Sequence, residues 1–594
     1  MLGKVLVSKG SKKEIAMTPS AAPEGTRGSR TRRGHGQRNP ASGVLERDLA
    51  ALQRSIGGEV ILPGSAAFAR MPKPFNARFA ELIPRAVVAC ASAADAAQAV
   101  LLAGRHGLGI AIRGGGHCFA GRSAGRDLII DTTPMNAVSV TGPLAAAGAG
   151  ARLGEVYQAL LAAGLTIPGG TCPSVGIAGL TLGGGLGMLG RSYGLTCDHL
   201  QAAEVVLADG RIVTCDDQRD AELFWALRGA GAGSFGVVTE LVFRPVPAPA
   251  VTVFRLAWPF SHATAVTRAW MGWAGTAPDQ ITARLTLAAG HDPDEPPTAE
   301  VLGAVVGHQS DAMGLLEQLT ARVPASPGIM LQEMPFRDAL RHWAWPTGEQ
   351  LDGQDSDSAS RSCLYIKSEY FDRPLPPEAV TGLIAHLIAE RRAGQARELD
   401  FTPWGGAYNR ARQTATAFAH RTPLYLVKHT ASAQPRAGEA ETAAARRWAR
   451  RSWQQLHRWG TGQVFPSFPD PDLRDWGQAY YGANYRRVLA AKARYDPGNR
   501  FRSRQSLPTP TVHARLQRAD GPAAQVPEEL RRNRRVEVLE ADAVERFRAG
   551  EHHPRRAAVV AGCDQVDLVA KGRAAGGDAR VGDADVVEAL RLVR

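Results

Sequence analysis

PGGTCPSVGIAGLTLGGGLGMLGRSYGLTCD, Pro168 to Asp198, is where the architecture of this 594-residue chain can be read. Ten of its 31 residues are glycine, set in an otherwise apolar run. Glycine gives up more backbone freedom on folding than any other residue, so an ordinary core has no use for so many. An elongated dinucleotide laid against bare main chain does. Cys172 heads the run beside a proline; taken alone, such a cysteine reads as small, buried and inert.

Two further glycine clusters flank this stretch. RGGGHCFAG, Arg113 to Gly121, follows the strand-like LGIAIR, and its glycine N–H groups can face an anion. His117 by itself reads equally as a polar cap on that turn. RGAGAGSFGVVTELVF, Arg228 to Phe243, leads from glycine into a β-branched strand. It is no Rossmann fingerprint, because Gly229-x-Gly231-x-x-Ser234 lacks the third glycine and a strand, not a helix, follows. The dinucleotide therefore needs a different cradle.

Outward from these clusters, residues 83–250 alternate short apolar runs with helical segments. PRAVVACAS reads as a strand, AADAAQAVLLAGRHG as a helix ending at Gly107, and LGEVYQALLAAG as an amphipathic helix. AAEVVLADGRIVTC is a hairpin turning at Asp209-Gly210. Ordered structure is expected to begin with a helix over Leu45–Ile56. From about residue 250 the glycine clusters vanish and tryptophan recurs (Trp258, Trp270, Trp273, Trp343, Trp345), as in a second α+β core. The expected division is a basic disordered tail 1–47, a cofactor domain 48–248, a substrate domain 249–470 and a returning segment 471–509. Residues 510–594 are a low-complexity tail, either disordered or an extension unrelated to the core.

Length and a 44% hydrophobic content allow two sizeable cores. The net charge of +13 suggests polyanions, but its distribution does not. Residues 1–47 hold ten Lys/Arg against three Asp/Glu and residues 510–594 hold fifteen against fourteen, which leaves +5 for the stretch between. No nucleic-acid motif accompanies it. Seven scattered Cys without CxxC pairs indicate neither a disulfide framework nor a metal site. No apolar run is long enough to span a membrane, and Arg32-Arg33 precedes no apolar segment, so a cytoplasmic location is expected.

Near the end of the chain stands WGQAYYGANYRRVLAAKARYDPGNRFRSRQSL, residues 476–507. Together with Arg113–Gly121, Pro168–Asp198 and Leu223–Thr239, in that order, it resembles the berberine bridge enzyme-like FAD-linked oxidases of the vanillyl-alcohol-oxidase, or PCMH-type, superfamily. The likeness runs from about Pro72 to Leu507. It implies an α+β fold: a two-part PCMH-type FAD-binding domain and a substrate domain with an antiparallel sheet. It also implies FAD bonded twice, through its 8α carbon to His117 and through its C6 to Cys172. Around those bonds the resemblance assigns Arg113, Gly114, Gly115, Gly116, Cys118 and Gly121 to the first cofactor turn. Gly170, Thr171, Val175, Gly176, Gly179, Gly184, Gly185 and Gly187 belong to the second, Val237 and Val238 to the third cluster, and Asn484 and Gln505 to the closing segment.

The implied reaction is oxidation of an alcohol-type substrate, a sugar or a secondary metabolite. Tyr480 or Tyr481 serves as base, hydride passes to flavin N5, and O2 is the acceptor, giving H2O2. A phenol is a poor base unless its anion is stabilised, for which Arg486, Arg487 and Lys428 are candidates. Val175 matches a position where valine leaves a path for oxygen in plant relatives and leucine closes it. The alternatives are a dehydrogenase of the same fold using another acceptor, or a catalytically silent flavin-binding protein. The chain departs from the pattern at Phe119, where many members carry an aromatic hydroxyl. It departs again at Lys428, where an inward Glu or Gln serves some members; this lysine either faces the flavin or snorkels to solvent.

Overall fold

The computed structural model describes residues 40–344 and 362–509. Most of the two expected tails, and Trp345, lie outside the described residues. Contacts divide the chain into residues 1–47 and 48–594. The first helix runs Pro40–Ser55, five residues earlier than its expected start. A proline fits a first helical turn, where its fixed φ is preset and its missing N–H is not needed.

From Glu59 on, the described residues build four sheets. Strands Glu59–Ile61, Ala86–Ala89, Leu128–Asp131 and Ile110–Arg113 form the first, in that spatial order. Its last three strands are parallel, and the helix Ala93–Arg105 makes the crossover between the second and the last. Ser92 caps that helix by accepting the Asp95 N–H, and Ala96, Ala99, Val100 and Ala103 are buried at helical spacing. The second sheet is antiparallel: Val138–Thr141, Leu144–Gly148, Val237–Phe243, Leu200–Val206 and Ile212–Asp216. Its last two strands are the expected hairpin, turning through Gly210 at φ +84°. A two-stranded ribbon pairs Val246–Pro247 with Leu165–Thr166.

The fourth sheet has seven antiparallel strands in the order Gly328–Pro335, Ala250–Trp258, Thr298–Val306, Ile281–Ala289, Gln395–Pro403, Tyr425–Ala433, Cys363–Phe371. One face is apolar: Ile281, Ala283, Leu285 and Leu287 pack with Leu399, Phe401, Val427 and the helices Ala263–Met271, Pro377–Ile388 and Glu439–His457. Trp258, Trp270 and Trp273 belong to this core as expected, but Trp343 does not. It packs on Phe336 against the core built around Tyr157 and Leu160. Helix Phe336–Ala344 follows the edge strand and turns its apolar side back to the earlier residues.

The closing segment joins that same core. Helices Trp476–Tyr481 and Tyr485–Tyr495 contribute Ala479, Tyr480, Tyr481, Val488, Ala491 and Tyr495 to it. The fully buried Lys492 fixes this return. Its ammonium donates to Asp496 Oδ2 at 2.6 Å, to the Ser234 carbonyl at 2.7 Å and to the Phe501 carbonyl at 2.7 Å. Lys492→Met strands a buried carboxylate, and we expect it to cost about 3–5 kcal/mol, read as a lower urea midpoint.

Candidate functional site

Two turns are pressed together main chain to main chain. A Cβ on Gly115 would run into the backbone of Gly176, and one on Gly176 into Gly115. Glycine is required here by this approach between loops, a reason the sequence reading did not supply. The second turn is held further by Leu153 N–H to Val175 O, Gly154 N–H to Pro173 O and Ile177 N–H to Ala151 O, each 2.9 Å. Tyr157 Oη donates to the Gly170 carbonyl at 2.8 Å. In the first turn Gly116 adopts φ +74°, which points the chain at His117.

These turns bring His117 and Cys172 to one hydroxyl. Ser174 Oγ lies 2.8 Å from His117 Nε2 and 3.5 Å from Cys172 Sγ. Phe75 stacks on the imidazole at 4.3 Å and 22°, and its N–H bonds the Gly116 carbonyl. Neither Ser174 nor Phe75 was singled out from the sequence. Ser174 occupies the unspecified position of G-x-C-P-x-V-G, so the motif does not mark it, and Phe75 carries no local signal.

A cavity of about 420 Å³ opens beside this pair, within the roughly 300–1,000 Å³ usual for ligand clefts. Its wall brings together Gly114, Gly115, Gly116, His117 and Cys118 from the first turn, and Gly170, Thr171 and Cys172 from the second. Val175, Gly176, Gly179, Gly185 and Gly187 continue it, and Val238, Lys428 and Tyr481 come from elsewhere in the chain. The cavity suits an FAD molecule. The glycine main chain is open at Gly116 and Gly179, where a Cβ would meet nothing within 4 Å. The hydroxyls of Ser123 and Ser467, both on the wall, are buried without a hydrogen-bond partner among the described residues. Native structures leave few buried polar atoms unpaired, and each calls for a partner such as an ordered water or a ligand group.

Seven expected site residues stand off the cavity. Arg113 turns away to donate through Nε to the Ser123 carbonyl. Gly121 lies under the Phe79 ring and Gly184 under Phe418. Val237 points to the opposite face of its strand from Val238. Asn484 donates to the carbonyls of Gln413 and Thr416, securing a loop. Tyr480 and Gln505 belong to one network behind the wall. Tyr480 Oη accepts the Asp470 N–H at 2.7 Å and donates to Gln505 Oε1 at 3.3 Å, while Gln505 also accepts from Arg122 Nη2 at 2.9 Å.

Tyr481, one residue on, is 6% exposed, lines the cavity and stacks on Tyr485. Burial raises its phenol pKa above the ordinary value, and the Arg122 guanidinium, also on the wall, pulls the other way. Arg122 thus stands where Arg486, Arg487 or Lys428 was expected. Arg487 instead pairs with Glu222 at 2.7 Å and stacks over Trp225, and Arg486 is exposed.

The same cavity is lined from the seven-stranded sheet by Thr282, Arg284, Asp400, Thr402 and Lys428. Lys428 faces inward, 3.2 Å from both Asp400 and Glu398, and Arg284 lies 3.5 Å from Asp400. Burial alone would lower the Lys428 pKa, but Asp400 and Glu398 outweigh it and leave the ammonium raised. Burial would likewise raise Asp400, but Arg284 and Lys428 outweigh it and hold the carboxylate low. Arg284 Nε is buried with no partner among the described residues. Arg284 and Asp400 were missed, although polar residues alternate with apolar ones at 284, 286, then 398, 400, 402, then 428, 430, 432.

The same chain matches two family models, an FAD binding domain over residues 84–216 and a berberine and berberine-like model over 464–508. It is 33% identical over 439 residues to an uncharacterized FAD-linked oxidoreductase, YgaK, of Bacillus subtilis, covering 72% of this chain and 92% of that protein. Against berberine bridge enzyme-like 1 of Arabidopsis thaliana the identity is 29%, covering 79% and 94%. Among solved structures, Physcomitrella patens BBE-like 1 superposes with a TM-score of 0.70 at 28% identity, covering 78% of this chain and 99% of that one. Glucooligosaccharide oxidase from Acremonium strictum, described with a 6-S-cysteinyl, 8α-N1-histidyl FAD, gives 0.70 at 25%, covering 78% and 98%.

Proposed function

Because this chain belongs to the berberine bridge enzyme-like FAD-linked oxidoreductases, we propose that it is an oxidase whose FAD is bonded to both His117 and Cys172 and which oxidises an alcohol-type substrate, a sugar or a secondary metabolite. The observation that supports this reading is the meeting of imidazole and thiol at one hydroxyl on the wall of the cavity. Residues 48–248 and 471–509 hold the cofactor in this reading, and residues 249–470 face the substrate.

FAD bound there supplies a hydride acceptor at N5 and returns the electrons to dioxygen, giving hydrogen peroxide. Tyr481 takes the substrate hydroxyl proton at its phenolic oxygen. Arg122 favours the phenolate that burial disfavours. Arg284, Asp400 and Lys428, held charged by one another, orient the polar side of the substrate. The polar floor favours hydroxyl-rich molecules over apolar ones.

Anaerobic mixing of the purified protein with a panel of sugars, oligosaccharides and secondary-metabolite alcohols tests the reading. At least one should bleach the flavin absorbance, and air should restore it with one peroxide per turnover. A protein that no alcohol bleaches, or that stays bleached in air, is not this oxidase. Val175 supports the choice of dioxygen: Val175→Leu should slow reoxidation by air roughly tenfold, about 1.4 kcal/mol in the barrier, with substrate-driven bleaching unchanged.

A further inference from the structure

Ser174 places its hydroxyl within hydrogen-bonding distance of both His117 and Cys172. It is 4% exposed, and its loop is braced by the Gly115–Gly176 approach and the bonds to residues 151–154. The imidazole is held on one face by Phe75 and at Nε2 by the Ser174 hydroxyl, which together fix its orientation. Which ring nitrogen of a histidine reacts is decided by the hydrogen bond the other one makes. A hydroxyl can donate one hydrogen bond and accept two, and it rotates between partners.

We propose that Ser174 is a positioning residue for covalent attachment of the flavin: it directs the bond to Nδ1 of His117 and carries away the proton that each tether residue loses. This rests on the two-bond reading above. Each attachment replaces one C–H of the flavin. At His117 a methyl C–H and the imidazole N–H are lost and a C–N bond forms. At Cys172 a ring C–H and the S–H are lost and a C–S bond forms. Each bond releases two protons and two electrons, and dioxygen takes the electrons, giving hydrogen peroxide. The Nε2 proton of His117 passes to Ser174 Oγ as Nδ1 bonds carbon. The Cys172 proton leaves by the same oxygen, which makes the thiolate, the reactive form.

The test compares wild-type, Ser174→Ala and Ser174→Thr proteins. Total FAD per protein is measured first, and covalent FAD by intact mass after denaturation. The histidyl-flavin isomer is identified from the pH dependence of fluorescence of the released aminoacyl flavin. We expect Ser174→Ala to keep its total FAD but to form covalent FAD roughly tenfold more slowly, with an Nε2-linked isomer appearing. Ser174→Thr, which retains the hydroxyl, should restore rate and isomer. The proposal is overturned by a Ser174→Ala protein with both bonds at the wild-type rate and the same isomer. It is equally overturned if total and covalent FAD fall in parallel, or if Ser174→Thr behaves like alanine. A wild-type protein without covalent FAD removes the two-bond reading itself, and this proposal with it.

Discussion

Replacing both His117 and Cys172 by alanine should release all flavin from acid-precipitated protein, while either single replacement leaves the pellet yellow. The expectation follows from geometry. Both side chains meet Ser174 and both line the cavity, so each reaches the same ring system independently. One covalent bond survives denaturation as well as two do, so only the double variant exposes the strength of the remaining contacts. Those contacts are mostly main chain and small side chains in an open cleft. A tethered ligand is always bound, whereas a free one stabilises only by mass action. The melting temperature of the double variant should therefore rise with added FAD, and that of the wild type should not. Flavin recovered in the supernatant from wild-type protein would sink the two-bond reading.

Tyr481→Phe should lower the rate of anaerobic flavin reduction by about 10²–10⁴, the usual worth of a positioned general base, with flavin still attached. Tyr480→Phe should behave oppositely. It removes the acceptor of the Asp470 N–H and should cost about 1–3 kcal/mol of stability with little change in the chemical step. The pH profile separates the roles again. Burial raises the Tyr481 pKa, so the phenol is protonated through the neutral range and only its anion accepts a proton. The reduction rate should climb with pH towards that raised pKa, and the climb should vanish in Tyr481→Phe. Equal loss of rate in both tyrosine variants would mean that packing, not proton transfer, is what the pair provides.

These two tyrosines also show where sequence reasoning stopped. The YY pair could be recognised, but its members could not be told apart. On a helix, neighbours diverge by about 100°, so Tyr480 faces Asp470 and Gln505 while Tyr481 faces the cavity. Gln505, which the resemblance assigned to the cofactor, stands off the cavity wall against Tyr480 and Arg122. Lys428 was readable as an unusual residue, but its direction was not. Strand pairing sets Lys428 opposite Asp400, and that partner makes an inward ammonium tolerable.

Alone, the sequence specified a glycine-rich cradle and an antiparallel second core, and its likeness to a known family pointed to His117 and Cys172. Those properties are local: glycine is demanded wherever main chain approaches main chain or ligand, and strand periodicity is written in alternating residues. Folding alone supplied the common hydroxyl of Ser174, the Phe75 ring over the imidazole, Arg122 beside Tyr481, and the Arg284–Asp400–Lys428 floor. Each joins residues far apart in the chain through a side-chain direction, and that direction follows from register and packing between elements rather than from any one segment.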